Sequence, residues 1–478
     1  MATLSMGGRT HKVPLALFKQ NRERLVKALK AAGVGGKAMV LLAGGKDSPG
    51  LNETDANDWS FQQESYFHWT FGVQEPDCYG TVCVESGKST VFVPKLDPSY
   101  AIWMGRIEGP EFFRDKYQVD EVKYTKDLAS ELKAAAPSRL LLLKGQNSDT
   151  GAFCQPASFD GIKEFQTDLD LLHPVIAELR VFKTKLEQDV LRYACAITVE
   201  GHKEMMKQVA DGKFEYQMES VFRHKAYHDG GARHVGYCCI GASGPNASVL
   251  HYGHAGAPNA RQLRHGDLCL FDMGASYMRY TADVTTSFPV SGKFTEEQKI
   301  VYNAVLAASQ AVMAAAKPGV SWVDMHLLAE RNILQGLKNG GVVVGEVEEM
   351  MGVRLGAVFQ PHGLGHLIGI DVHDVHGYPK DGPARRSEPG LRNLRTARTL
   401  AKDMFITVEP GCYFIDHLLD EALADPVRAK FLVKERIDAL RGSGGVRIED
   451  DVLITEDGCE NFSILPRTVE EIEAFMRK

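Results

Sequence analysis

The chain has 478 residues, with 55 basic and 62 acidic side chains, a net charge of −7 and 44% hydrophobic content. This is the make-up of a soluble globular protein with room for two or three domains. An acidic balance without a Lys/Arg run speaks against nucleic acid as a partner, and the longest apolar run, around Leu140–Leu143, is far too short to span a membrane.

Met1 to Thr10 lack the apolar stretch of a secretory signal. The nine cysteines have no repeated spacing, and Cys238 and Cys239 are adjacent, so reduced thiols and a cytoplasmic setting are expected. Residues 1–175 read as a small α/β domain. Leu25, Val26 and Leu29 predict a helix over Lys19–Ala32 that stops at Gly33. Short apolar runs then predict buried strands at Ala38–Leu42, Thr81–Val84, Thr90–Val93 and Leu140–Leu143. Asp55, Asp58 and Glu64 read as acids of a solvated loop. Trp103, in an apolar segment, reads as core on its own.

A boundary near His173-Pro174 opens a second domain, 176–478. The capping box Thr184-Lys185-Leu186-Glu187 predicts a helix to about Val209, and a second helix spans Glu215–His228. Strands are expected at Tyr237–Ile240, Leu268–Met273 and Thr281–Phe288. A second capping box at Thr295 starts another helix pair, with its second member over Val323–Lys338. Strands return at Phe405–Val408 and Val446–Ile454. Two rounds of helix, helix, strands predict an α+β domain with an internal pseudo-repeat.

The chemistry lies in this second domain. If the hairpin closes around Tyr277-Met278, Asp272 faces Asp283 across the ladder, with β-carbons about 4.5–5.5 Å apart. Two carboxylates so close repel unless a cation or a proton lies between them. Glu409 and Glu449 also sit in or at the end of apolar strands, where an unpaired charge is expensive. His366 closes the segment His362-Gly363-Leu364-Gly365-His366. Four carboxylates and one imidazole balance two divalent ions and form a hard site, favouring Mn²⁺ over a thiolate-type zinc centre. A competing arrangement is a histidine-only zinc site from His362, His366, His373 and His376, which leaves the four acids unexplained.

These motifs, with Asp371-Val372-His373-Asp374, Val408-Glu409-Pro410-Gly411 and Arg447-Ile448-Glu449-Asp450, resemble the prolidases, the Xaa-Pro dipeptidases of the pita-bread metallopeptidase family. Leu250-His251-Tyr252-Gly253-His254 and Leu391-Arg392-Asn393-Leu394-Arg395 are similar to the animal-type members. The resemblance extends over nearly the whole chain. It implies a smaller N-terminal α/β (creatinase-N-like) domain followed by a pita-bread catalytic domain with a pseudo-two-fold repeat. It also implies two Mn²⁺ per subunit, with Co²⁺ or Zn²⁺ as substitutes, held by Asp272, Asp283, His366, Glu409 and Glu449. Of these, Asp272, Asp283 and Glu449 resemble bridging or bidentate ligands. Substrate contacts fall on His251, His373 and Arg395, with Tyr237, His362 and Arg447 lining the pocket. Glu409, His373 and His362 are the implied catalytic groups. The implied reaction is hydrolysis of dipeptides ending in proline or hydroxyproline, by a homodimer in which Trp103 reaches the partner's site. One departure stands out: where the resemblance leads to Gly-Gly, this chain has His376-Gly377, which puts a side chain near the site entrance. The alternatives are an aminopeptidase P, with the same ligands but longer substrates, and a non-catalytic binding relative, which would be expected to lose ligands.

Overall fold

A computed structural model of the chain describes residues 2–47 and 60–477. Asp55 and Asp58 lie outside the described residues. The chain divides into two units, Met1–Arg180 with Thr184–Glu187, and Val181–Lys183 with Gln188–Lys478.

The first unit is built on a mixed six-stranded sheet in the order Glu121–Tyr124, Ser89–Val93, Tyr79–Cys83, Met39–Ala43, Leu140–Leu142, Thr167–Asp168. The four apolar runs are its inner strands. The two outer strands escape sequence reading because one is half-exposed and polar, and the other has two residues. The helix Ala16–Ala31 begins earlier than its polar face suggests, since Leu17 and Phe18 are already buried. Gly33, at φ +81°, follows it. Glu64 is no solvated loop acid. It caps the helix Ser65–Phe71, accepting a hydrogen bond from the Phe67 N–H at 2.7 Å. Trp103 is not core either. It lies on the short helix Tyr100–Met104 and is 82% exposed, with Ile102 and Met104 exposed beside it.

The second unit follows the expected order. Helices Lys185–Gln208 and Glu215–His228 precede a sheet ordered Ile240–Ser243, Leu268–Asp272, Thr285–Pro289. Helices Glu296–Ala315 and Trp322–Asn339 precede a sheet ordered Phe405–Val408, Asp450–Ile454, Cys459–Asn461. Both capping boxes form: Glu187 N–H donates to Thr184 Oγ1, and Gln298 N–H to Thr295 Oγ1, each at 3.2 Å. The core joins Phe222, Phe271, Phe288, Trp322, Phe359 and many aliphatic side chains.

Three strand expectations need correction. The strand expected at 237–240 instead spans Ile240–Ser243. The strand expected over 281–288 is split into Tyr280–Thr281 and Thr285–Pro289, and the one over 446–454 into Gly445–Arg447 and Asp450–Ile454. The hairpin register also differs. Met278 and Arg279 form a two-residue turn with φ +47° and +72°, and Tyr277 pairs with Tyr280. Asp272 therefore pairs with Thr285, not with Asp283. The difference is two residues, and strand side chains alternate with period two, so Asp283 remains on the face of Asp272. Gly274 allows the tight crossing, because a Cβ there would overlap the Ala282 carbonyl oxygen.

Candidate metal centre

Asp283 and Glu449 sit in the two strand interruptions, and Asp272 ends the strand Leu268–Asp272. Where a ladder stops, a side chain can turn toward its end. The two interruptions lie antiparallel and are stitched by side chains. Asp283 N–H donates to Asp451 Oδ2 (3.0 Å), Thr285 Oγ1 to Glu449 Oε2 (2.7 Å), and Ser287 Oγ to the Arg447 carbonyl (2.9 Å). Glu449 N–H also reaches the Thr285 carbonyl at 3.2 Å. Hydroxyls and a carboxylate thus join the first half of the pseudo-repeat to the second.

His366 and Glu409 are brought together by another zipper. Thr407 N–H donates to the His366 carbonyl (2.9 Å) and Glu409 N–H to the Leu364 carbonyl (2.8 Å), while His366 N–H donates to Thr407 Oγ1 (3.0 Å). The loop lies so close to the strand Phe405–Val408 that a Cβ at Gly365 would overlap the Thr407 carbonyl. This close approach accounts for the glycine between Leu364 and His366.

The result is a buried cluster. Ligating atoms of Asp283, His366 and Glu449 lie within 4.8 Å of one another, the one such group of three or more His, Cys, Asp or Glu among the described residues. His366 Nε2 is 3.3 Å from Asp283 Oδ2 and 3.5 Å from Glu409 Oε1. Asp272 accepts from Tyr237 Oη at 2.5 Å and from Arg447 Nη2 at 2.6 Å, and its charge bears directly on Asp283. Burial, then Asp272, pushes the Asp283 carboxyl well above its usual range. Burial, then Asp283, does the same to Glu449. Burial also raises Glu409 to about 7, with Asp283 and Asp272 adding to the rise against His366 and Arg447. Asp283 Oδ1 is buried without a hydrogen-bond partner among the described residues.

These residues fit divalent metal. His366 Nδ1 lies 3.1 Å from the Leu367 carbonyl, which can only accept, so Nδ1 carries the proton. Nε2 then turns a lone pair toward carboxylates that have no proton to share when ionised. A cation relieves this opposition, and oxygen-rich ligands with one imidazole suit a hard or borderline ion. The histidine-only set of His362, His366, His373 and His376 does not form such a group.

Tyr237, Arg447, His362 and His373 of the remaining expected residues adjoin these acids and His366. Arg447 Nη1 donates to Tyr413 Oη (2.9 Å), so the phenol O–H is free to donate to His362 Nε2 (2.9 Å). The His362 proton then sits on Nδ1, 2.7 Å from the Gly363 carbonyl and 3.8 Å from Glu409 Oε2. Burial, then Arg447, lowers the His362 pKa to about 3. His373 packs edge-on against His366, with ring centroids 4.5 Å apart. Burial, then the neighbouring His366 and the Arg395 cation, hold His373 far below the usual imidazole value. His251 is exposed, and is lowered by desolvation, then by Arg447 and Arg395. Trp103 belongs to the other unit. His376 adopts φ +68°, the left-handed region where glycine is at home, and its carbonyl accepts from Arg398 Nη1 at 2.9 Å. Sequence reasoning missed Tyr413, Thr285 and Asp451. A third acid in Glu449-Asp450-Asp451 was the visible signal for the last; the other two emerge only from strand pairing.

Comparison with known proteins agrees with this geometry. Residues 189–456 match the model of metallopeptidase family M24, and residues 18–141 match the aminopeptidase P N-terminal domain. The human Xaa-Pro dipeptidase is 55% identical over 472 residues, covering 98% of this chain and 95% of that protein. A Verticillium alfalfae protein named as a probable Xaa-Pro aminopeptidase is 34% identical over 464 residues, 96% of each chain. Zinc-substituted Escherichia coli aminopeptidase P in complex with product superposes with a TM-score of 0.78 at 28% identity, over 98% of this chain and 99% of that one. The fold is thus aminopeptidase P-like, an N-terminal domain followed by a mixed α and β catalytic domain, and the chain belongs to metallopeptidase family M24.

Proposed function

We propose that the chain is a metal-dependent Xaa-Pro dipeptidase acting on dipeptides that end in proline or hydroxyproline. The observation that carries this reading is the buried meeting of Asp283, His366 and Glu449, with a histidine lone pair facing acids, in a chain so similar to Xaa-Pro dipeptidases. Asp272, Asp283, His366, Glu409 and Glu449 would hold two Mn²⁺ ions. Metal in such a site polarises a carbonyl and lowers the pKa of bound water.

The chain's own groups supply the rest. Proline has no amide hydrogen and a fixed φ, so the pocket must grip other atoms. Arg395 takes the substrate's terminal carboxylate through paired hydrogen bonds, with His251 beside it. A longer peptide would put a neutral amide there, which sets the dipeptide limit. His373 donates to the oxygen that becomes negative as the scissile carbonyl is attacked. Glu409 carries a proton toward the departing ring nitrogen. His362, with its tautomer set through Tyr413, lines the pocket with Tyr237 and Arg447. We further propose a homodimer in which the exposed Trp103 reaches the partner subunit's site, and a cytoplasmic setting in keeping with nine free cysteines.

The test compares Gly-Pro with Gly-Pro-Ala on Mn²⁺-loaded protein, with EDTA as control. Release of proline from Gly-Pro, abolished by EDTA, is expected. Cleavage of the tripeptide alone would make the protein an aminopeptidase P.

A further inference from the structure

Outside the metal cluster, one buried ion pair stands close to the chemistry. Lys183 Nζ lies 2.9 Å from Asp374 Oδ2, and each side chain is 2% exposed. The two residues are far apart in sequence, and neither is a proposed ligand. Asp374 directly follows His373. Its backbone N–H donates to the Leu367 carbonyl (2.8 Å), and its Oδ1 accepts from the Val375 N–H (3.0 Å). The turn bearing His373 is therefore tied at both sides of Asp374. Lys183 is itself anchored: its N–H donates to the Asp403 carbonyl (2.8 Å), and its carbonyl accepts from Gln188 Nε2 (3.0 Å). Gly369 lets the pair close, since a Cβ there would lie 2.5 Å from Asp374 Oδ2 and 3.0 Å from Lys183 Nζ.

We propose that Lys183 is a positioning residue, whose buried pair with Asp374 fixes the place of the adjacent His373 ring. The inference rests on the role given to His373 above. A buried pair costs desolvation of two charges, and a hydrophobic pair of similar volume would often serve stability as well. What an ion pair adds is a fixed geometry at one point. Here that point is one residue from an imidazole packed edge-on against His366. A donor that must meet a developing negative oxygen tolerates little displacement, and a shift of about 1 Å can cost on the order of 10²-fold in rate.

The experiment uses the Mn²⁺-loaded full chain with Gly-Pro, measuring kcat and KM for Lys183→Met, His373→Ala and the double variant, with melting temperature and bound metal alongside. Lys183→Met is expected to lower kcat roughly tenfold to hundredfold with KM within about twofold. Its effect should nearly vanish in the His373→Ala background, to less than about twofold. A general structural weakness would instead multiply with the His373 loss, and that result overturns the inference, as does a wild-type kcat in Lys183→Met. If His373→Ala alone leaves kcat unchanged, the role of His373 fails, and the inference with it, in a measurement separate from the first. Asp374→Asn, which keeps an acceptor for the Val375 N–H, is read in the same cycle. It is expected to show the same split, and it decides the matter where Lys183→Met does not fold.

Discussion

Arg447 illustrates how much one side chain can carry. Its guanidinium contacts Asp272, Tyr413 and Thr285 from a buried position. Removing one partner of a buried pair leaves the other charged and unsolvated, at a cost of about 3–5 kcal/mol. Arg447→Met is therefore expected to melt well below the parent, as read by circular dichroism. Arg447→Lys should not restore activity, because an ammonium cannot reach three partners in a planar fork. The same chain of hydrogen bonds orients His362. Tyr413→Phe removes the donor to His362 Nε2 and frees the ring to change tautomer. The expected outcome is a fall in kcat on Gly-Pro of about tenfold, with the metal content unchanged. Asp283, Glu409 and Glu449, which the structure brings beside His366, stand out in the sequence because charged residues in or at the end of apolar strands are rare enough to notice. Tyr413 could not, since a tyrosine in an apolar strand is ordinarily core. Trp103 was ambiguous for the opposite reason: hydrophobicity says that a residue wants cover, not whether its own unit or another molecule provides it.

At the scale of elements, the loop from His362 to His366 depends on its closeness to the strand Phe405–Val408. Gly365→Ala is expected to destabilise the protein by about 1–3 kcal/mol and to lose bound Mn²⁺, because the added methyl must push the Thr407 carbonyl away. Metal analysis and thermal melting check both parts. The helices of the second unit were the most legible elements. Thr184 and Thr295 announce their starts, and Glu215–His228 has the expected bounds. Strands were less so. Sequence patterns do not reveal where a ladder is broken, and Ala282 to Val284 look as strand-like as their neighbours. The hairpin register is hidden in the sequence because Met278 and Arg279 are unusual at positive φ, where Asn-Gly would mark the turn. The parity of the strands keeps Asp272 and Asp283 on one face despite the shifted register.

For the whole molecule, the raised carboxyls couple stability to pH and metal. Asp283, Glu449 and Glu409 have folded-state pKa values above their unfolded ones, so in metal-free protein they contribute stability at low pH that is lost as pH rises, for Glu409 through about 7. Metal competes with those protons. The rise in melting temperature on adding Mn²⁺ to EDTA-treated protein should therefore be larger at pH 8 than at pH 6. An equal rise at both would show that these acids are ionised without metal. The seam joining residues 283–287 to 447–451 has a further consequence. Neither half of the repeat holds Asp283, His366 and Glu449 alone; the three meet only where the halves touch. A chain severed at Ser291-Gly292, between the strand Thr285–Pro289 and the helix Glu296–Ala315, should give two inert pieces that recover hydrolysis when mixed, so that turnover itself would report the halves finding each other.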